Sequence, residues 1–220
     1  MTFSLRQKIL AEFIGTYFLV LTVVGSGIMG ELMSNDLGII LLGNTIATGA
    51  ILYVIISMFI NISGAYFNPA VVLSDIIQKN IPINYGIIFI FTQIIAGIFG
   101  CLTANWYFEY PIIEWSLNER VGVFKFFSEI IATVGLLLTI FILKEVNKEK
   151  IAIGVALFIT AGYWFTSSTS FANPAVTIAR SFTDTFTGIN LDNVIFFIAF
   201  QFIGATLALG LNKLIEEYKT

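Results

Sequence analysis

Six long apolar runs limit what this chain can fold into more than any other feature of its sequence. Each is long enough to cross a bilayer, because about 20 helical residues span a hydrocarbon core of roughly 30 Å. With 57% hydrophobic and 11% charged residues, the composition lies far from that of soluble domains. The sequence therefore predicts an all-α integral membrane protein, and no polar segment remains for a separate catalytic or nucleic-acid-binding domain. The runs lie at about 9–29, 37–60, 83–107, 124–143, 150–169 and 194–214.

Two residue types that support much of enzyme chemistry are scarce. The chain has no histidine and one cysteine, Cys101. Histidine is the commonest metal ligand and a frequent general base, and one cysteine cannot build an intramolecular disulfide or a multi-cysteine metal site. The sequence predicts neither an enzyme nor a bound cofactor or metal.

The positive charges are distributed unevenly between the apolar runs. If six spans alternate across the bilayer, eight of the 11 Lys and Arg residues lie on one side, and Arg120, Lys125 and Arg180 lie on the other. Because positively charged loops tend to remain in the cytoplasm, we expect a multi-pass protein of the plasma (cytoplasmic) membrane. Both termini are expected in the cytoplasm.

Three polar features occur twice, in the same order, along the single domain of residues 1–220. Three spans per half is an odd number, so the second half must enter the membrane from the opposite face. The sequence therefore predicts two inverted repeats, about 1–115 and 116–220. The paired features are Glu12 and Glu129, Asn68-Pro69-Ala70 and Asn173-Pro174-Ala175, and Gln93 and Gln201.

Each Asn-Pro-Ala motif predicts the start of a short helix. Asn is a favoured N-cap, Pro suits the first helical position, and the residue before Pro avoids helical geometry. The apolar run that follows each motif has only about ten residues, which is too short to cross the bilayer. We therefore expect two re-entrant half-helices in addition to the six spans. Irregular backbone at this depth must be buried in protein or line a water-filled cavity.

The polar residues of the repeat have distinct expected roles. Asn68 and Asn173 are expected to line a pore, with amide N–H groups free to orient a passing oxygen. The helix N-termini on either side produce a positive field that opposes cations and proton hopping. Glu12 and Glu129 would cost about 2.5 to 3.5 kcal/mol facing lipid, so they should face the interior. They either accept hydrogen bonds from loop N–H groups or bind a coupling proton. Their matched positions favour the structural role.

Residues 62–71 (ISGAYFNPAV) and 170–175 (SFANPA) resemble the two signature loops of the aquaporin (major intrinsic protein) family. The resemblance implies six tilted spans around a central pore, and usually four such chains in a homotetramer, each with its own pore. It also implies that Glu12 and Glu129 hold the loops. Tyr66 stands where many relatives carry His.

The residue after the second motif departs from that family. Most members carry an arginine there, at the narrowest constriction, whereas this chain has Val176. The nearest arginine, Arg180, comes one helical turn later and about 6 Å further toward the outer mouth. It is therefore a candidate for the outer vestibule.

Carrying over the other constriction positions by spacing gives a filter of small or medium uncharged residues. These are Thr48, Ala161 and Ser170, with Val176 as the fourth. Such a filter would be wide, weakly polar and free of arginine. The alternative is that an aromatic residue, Tyr53 or Tyr163, fills the space.

The sequence thus predicts a passive channel for small neutral solutes, with the lipid bilayer as its surroundings and no nucleic-acid partner. Val176 and the Thr-Ile-Ala-Arg that follows resemble a bacterial branch of the family encoded with arsenic-resistance genes, which suggests neutral arsenic species beside glycerol-like solutes and water. An ordinary water or glycerol channel is one alternative. An ion-coupled transporter is another, but the spans of this chain offer no acid at mid-depth other than Glu12 and Glu129.

Overall fold

The computed structural model describes residues 3–217, and within them the chain is helical wherever it is regular. The α-helices are α1 (Leu5–Met33), α2 (Leu37–Phe59), α3 (Pro69–Ile77), α4 (Ile83–Tyr107), α5 (Val123–Val146), α6 (Ile151–Phe165), α7 (Pro174–Ala179) and α8 (Leu191–Glu217). Two 3-10 helices, Lys148–Lys150 and Arg180–Phe182, precede α6 and follow α7.

Six of these helices are the spans that the apolar runs predict. By length and composition alone, α1, α2, α4, α5 and α8 qualify as membrane spans. The sixth, α6, has 15 residues and is shorter than its apolar run, because the backbone becomes extended at Thr166 (φ −108°, ψ 139°). The predicted membrane fold of six spanning helices and two half-helices is confirmed. The prediction of a continuous sixth span to residue 169 is wrong.

The two half-helices begin at the Asn-Pro pairs. The side-chain oxygen of Asn68 accepts a hydrogen bond from the amide of Ala70 at 2.9 Å, and that of Asn173 accepts one from Ala175 at 3.0 Å. These are N-cap contacts, with proline at the first helical position of both α3 and α7. The start of each half-helix is therefore determined locally.

Small residues allow the long helices to approach closely. In the first half α1 packs against α2 and α4, and in the second half α5 packs against α6 and α8. A Cβ atom added at Gly100 of α4 would lie 2.5 Å from the carbonyl oxygen of Tyr17 in α1, and one at Gly204 of α8 would lie 2.8 Å from that of Ile130 in α5. Glycine is therefore required where these backbones meet.

Candidate functional site

A cavity of about 210 Å³ extends from the C-terminal end of α3 to the C-terminal end of α7. Its two ends differ in their charged residues. We call the end lined by Asp75, Lys144 and Lys148 the lysine end, and the end lined by Arg180 the arginine end. The N-termini of both half-helices lie between these ends. The cavity therefore passes the point where the two halves of the chain meet.

Most of the cavity wall is apolar. Helix α2 contributes Leu52 and Ile56, α5 contributes Leu136, and α6 contributes Val155 and Ile159. Such walls offer no hydrogen bonds, so a solute inside the cavity depends on a few polar groups for its orientation. Within residues 3–217, no cluster of three or more Cys, Asp or Glu side chains is placed to hold a metal ion.

Asn68 and Asn173 lie in the wall between the ends and bind each other's loops. The amide of Asn68 donates to the carbonyl of Ala172 at 2.7 Å, and the amide of Asn173 donates to the carbonyl of Phe67 at 2.8 Å. Each amide has two N–H donors, so one is used in this crossed contact. The second finds no acceptor among the described residues. One donor on each asparagine, rather than both, is thus available to a solute.

Glu12 anchors the first loop from outside the cavity. Its carboxylate is fully buried, does not line the cavity and accepts four hydrogen bonds from the protein. Two come from the backbone amides of Tyr66 and Phe67, at 3.0 and 2.8 Å. The other two come from the hydroxyl of Ser63 at 2.6 Å and the amide of Gln93 at 2.8 Å.

Glu129 has an equivalent set of contacts in the second half. It accepts hydrogen bonds from the backbone amides of Phe171 and Ala172, at 2.9 and 2.8 Å, and from the side-chain amide of Gln201 at 2.7 Å. It is also fully buried and does not line the cavity. Both acids thus contact the backbone that leads into an Asn-Pro-Ala motif.

The anchored loops have an unfavourable backbone conformation. The first and third residues before each motif have positive φ, at 49° for Phe67, 52° for Ala65, 46° for Ala172 and 50° for Ser170. For residues with a Cβ this costs about 1 to 2 kcal/mol each. The hydrogen bonds to the two glutamates offset that cost, because they bind amides within the strained segments.

Three of the four residues assigned to the filter by spacing line the cavity. They are Thr48, Ser170 and Val176. The Ser170 side chain is buried, and its hydroxyl oxygen has no hydrogen-bond partner among the described residues. A hydroxyl in this state is available to a solute in the cavity.

Ala161, the fourth residue assigned by spacing, is exposed on another side of α6. Its place at the cavity is taken by Tyr163, whose hydroxyl lies 3.2 Å from that of Thr48. Positions two apart on a helix differ by about 200° in direction, so a count that is two residues off in the irregular loop between α6 and Asn173 selects Ala161 instead of Tyr163. Of the two alternative aromatics, Tyr53 is 48% exposed and Tyr163 is 4% exposed.

A signal in the sequence could have identified Tyr163. Ile151, Val155, Ile159 and Tyr163 recur every four residues in α6, and all four line the cavity. Residues four apart lie on one helix face. The row predicts the position of Tyr163 more reliably than a residue count through a non-helical loop.

Arg180 also lies in the cavity wall, close to the half-helix rather than in an open vestibule. It is 2% exposed, its Nε donates to the carbonyl of Thr187, and its guanidinium carbon lies 3.5 Å from the centroid of the Phe171 ring. Side chains on a helix lean toward its N-terminus, so residue 180 covers the turn that contains Val176. The wall is therefore not free of arginine, contrary to the expectation from Val176 alone.

The lysine end contains a polar network that the sequence analysis missed. Asp75 of α3 is buried and forms an ion pair with Lys144 of α5, with 3.2 Å between Oδ2 and Nζ. It also accepts hydrogen bonds from the hydroxyl of Tyr66 at 2.8 Å and the amide of Asn80 at 3.0 Å. The only signal in the sequence is an acid within an otherwise uncharged half-helix.

The chain is similar in sequence to known membrane channels. The family model for the major intrinsic protein family matches residues 1–150. Aquaglyceroporin AqpS from Rhizobium meliloti (strain 1021) is 41% identical over 211 residues, which are 96% of this chain and 91% of that protein. A probable TIP-type aquaporin from Medicago truncatula is 32% identical over 158 residues, which are 70% of this chain and 63% of that protein.

A solved structure shares the fold. The X-ray structure of the aquaglyceroporin from Plasmodium falciparum is similar with a TM-score of 0.76, covering 96% of this chain and 97% of that chain. At 23% identity the likeness concerns the fold alone.

Proposed function

Because the chain belongs to the major intrinsic protein (aquaporin) family, we propose that it is a passive channel for water and small uncharged solutes of the glycerol type. The observation that carries the proposal is the cavity that passes between the two half-helices, with Asn68 and Asn173 in its wall. Its apolar sides and few hydrogen-bonding groups suit a neutral solute that carries both hydroxyl and C–H surface.

Ion exclusion follows from the charges along the proposed path. Each half-helix N-terminus carries about half an elementary positive charge, and both point toward the asparagines. Asp75 is the one acid lining the described cavity, and it is paired with Lys144. A cation therefore meets a positive field with no free carboxylate to compensate it. This property favours a channel for neutral solutes.

The proposed filter is the arginine end, formed by Thr48, Tyr163, Ser170, Val176 and Arg180. Arginine supplies only donors, whereas the three hydroxyl groups can donate or accept. The valine supplies an apolar surface. A polyol can place its oxygens against the arginine and the three hydroxyl groups, and its C–H groups against the valine. We therefore propose that glycerol-sized solutes pass together with water.

The same geometry disfavours an ion-coupled transporter. Such a protein needs an ionisable group that the transported species can reach. Glu12 and Glu129 are fully buried outside the cavity wall, and their oxygens accept hydrogen bonds from the loops. We therefore assign both acids a structural role.

The assembly and location proposed for the protein rest on the family and on the charge distribution. We propose a homotetramer in the plasma membrane with both termini and the lysine end in the cytoplasm. Lys144 and Lys148 at that end agree with the excess of positive charge on the cytoplasmic side of membrane proteins. Native mass spectrometry of the purified protein tests the tetramer, and protease accessibility of tagged termini in oriented vesicles tests the topology.

The decisive experiment compares liposomes containing the purified protein with empty liposomes in stopped-flow osmotic assays. Water, glycerol, urea and neutral arsenous acid form the panel, the last because of the resemblance around Val176. We expect water and glycerol permeability well above that of empty liposomes, without saturation. If the liposomes with protein are no more permeable than empty liposomes to any of the four solutes, the channel is refuted. Flux that follows an ion gradient would favour the transporter.

A further inference from the structure

Two arginines bind three consecutive carbonyl groups in the loop before α8. Arg120, in the loop between α4 and α5, donates from Nε to the carbonyl of Gly188 at 2.7 Å and from Nη2 to that of Phe186 at 3.0 Å. Arg180 donates from Nε to the carbonyl between them, that of Thr187. The acceptor of Arg180 is therefore fixed on both sides by Arg120.

Both guanidinium groups also lie near one aromatic ring. The ring of Phe171 is 3.5 Å from the guanidinium carbon of Arg180 and 5.0 Å from that of Arg120. Its backbone amide is held by Glu129, and its ring packs edge-on against Phe197 with centroids 5.0 Å apart. Cation–π contact of this kind is attractive for each arginine. The ring is thus a second connection between them.

Among the described residues, no carboxylate forms an ion pair with either arginine. Carbonyl groups and the Phe171 ring are therefore what hold the two side chains. Burial lowers the pKa of Arg120 to about 10, which still leaves it charged at neutral pH. The orientation of Arg180 then depends on the loop rather than on an acidic partner.

Only one of the two arginines faces the proposed path. Arg180 lines the cavity and Arg120 does not. Arg180 uses one of its five N–H donors on Thr187, and no described residue accepts from the others. The backbone amide of Arg120 is bound to the side chain of Asn193 in α8 at 2.8 Å. Arg120 is thus anchored behind the wall.

We propose that Arg120 is a positioning residue that sets the selectivity of the channel by fixing Arg180 in the cavity wall. The inference rests on the proposed function. Arg120 holds the carbonyls of Phe186 and Gly188, so that the carbonyl of Thr187 is aimed at Arg180. Without that hold, the loop relaxes and the Arg180 side chain leaves the wall. The cavity then widens at its arginine end.

The test is the ratio of glycerol to water permeability in liposomes that contain equal amounts of each variant. Arg180→Gln should raise this ratio, because a shorter side chain opens the wall. Arg120→Gln should raise it in the same direction by at least roughly 2-fold, because the loss of one hydrogen bond corresponds to about 2- to 10-fold and Arg120 makes two. The double variant should match Arg180→Gln alone, since Arg120 acts through Arg180.

Two control variants make the outcome decisive. Arg6→Gln changes an exposed arginine in the first turn of α1 and should leave the ratio unchanged. Arg120→Lys keeps the charge, but its single ammonium cannot reproduce the planar fork that binds two carbonyls. It should give an intermediate ratio, and it replaces Arg120→Gln if that variant does not fold.

An unchanged ratio in the folded Arg120 variants, or an additive effect in the double variant, would overturn the inference while the channel itself stands. If the parent protein conducts neither water nor glycerol, the proposed function fails instead.

Discussion

Removing the carboxylate of Glu12 should destabilise the protein strongly, and the contacts indicate by how much. Glu12→Ala leaves four buried donors without their acceptor, on Ser63, Tyr66, Phe67 and Gln93. The two side-chain donors can reorient, whereas the two backbone amides cannot. At about 1 to 3 kcal/mol for each unsatisfied group, the backbone amides alone account for about 2 to 6 kcal/mol. That is a large part of the 5 to 15 kcal/mol typical of a folded domain.

Glu12→Gln should destabilise the protein less than Glu12→Ala, although it also removes the charge. The amides of Tyr66 and Phe67 bind different oxygens of the carboxylate, Oε1 and Oε2, so the one carbonyl oxygen of a glutamine keeps one of the two backbone hydrogen bonds. Its NH₂ group can donate to the side-chain oxygen of Gln93, which has no hydrogen-bond partner among the described residues. We expect a loss of about 1 to 3 kcal/mol, because one backbone amide rather than two is left unsatisfied.

The measurement is the thermal unfolding midpoint and the yield of monodisperse protein in detergent. Glu31→Ala, which alters an exposed acid in the same helix, is the matched control. For Glu129 too, the Ala variant should be less stable than the Gln variant, since the side-chain oxygen of Gln201 has no hydrogen-bond partner among the described residues either. Equal stability of Glu12→Ala and Glu12→Gln would refute the role of these hydrogen bonds. Normal yield of Glu12→Gln with loss of a pH-dependent flux would indicate proton coupling instead.

Three further predictions concern the path and the packing. Asn68→Asp or Asn173→Asp replaces the crossed amide donor with a carboxylate in the positive field, so each should admit cation current in voltage-clamped oocytes; two ion-tight variants would place the asparagines away from the path. Val176→Arg should lower the ratio of glycerol to water permeability in liposomes by narrowing the arginine end, and an unchanged ratio would remove residue 176 from the filter. Gly100→Ala places a Cβ 2.5 Å from a backbone oxygen of α1, whereas Gly43→Ala places one where nothing lies within 4 Å. Thermal unfolding should show Gly100→Ala to be less stable than Gly43→Ala by about 1 to 3 kcal/mol. Equal melting temperatures of the two variants would contradict the close packing.

The features that local chemistry determines could be predicted from the sequence. The half-helices begin at Asn68 and Asn173 because an asparagine cap followed by proline needs no tertiary partner. The interior placement of Glu12 and Glu129 could be predicted too, because an acid that faces lipid is costly. Both inferences depend on one residue and its immediate surroundings.

The positions that depend on irregular backbone could not be predicted in the same way. Ala161 was assigned by counting back from Asn173 through a non-helical loop, and an error of two residues there exchanges it for Tyr163. The position of Arg180 in the cavity wall depends on the direction of its side chain and on its hydrogen bond to the carbonyl of Thr187, which lies in another irregular loop. The partnership of Asp75 with Lys144 joins residues 69 positions apart, and no local pattern identifies it.

The crossed contacts of the two asparagines have a consequence for biosynthesis. Each loop needs a carbonyl from the other half as the acceptor for its asparagine amide, so the first loop cannot complete its hydrogen bonds when it leaves the ribosome. At roughly 5 to 20 residues per second, Asn173 is synthesised about 5 to 20 s after Asn68. During that interval the amide of Asn68 and the carbonyl of Phe67 can be satisfied only by water or by temporary partners. A nascent chain that stops before the second motif is therefore a natural target for membrane quality control.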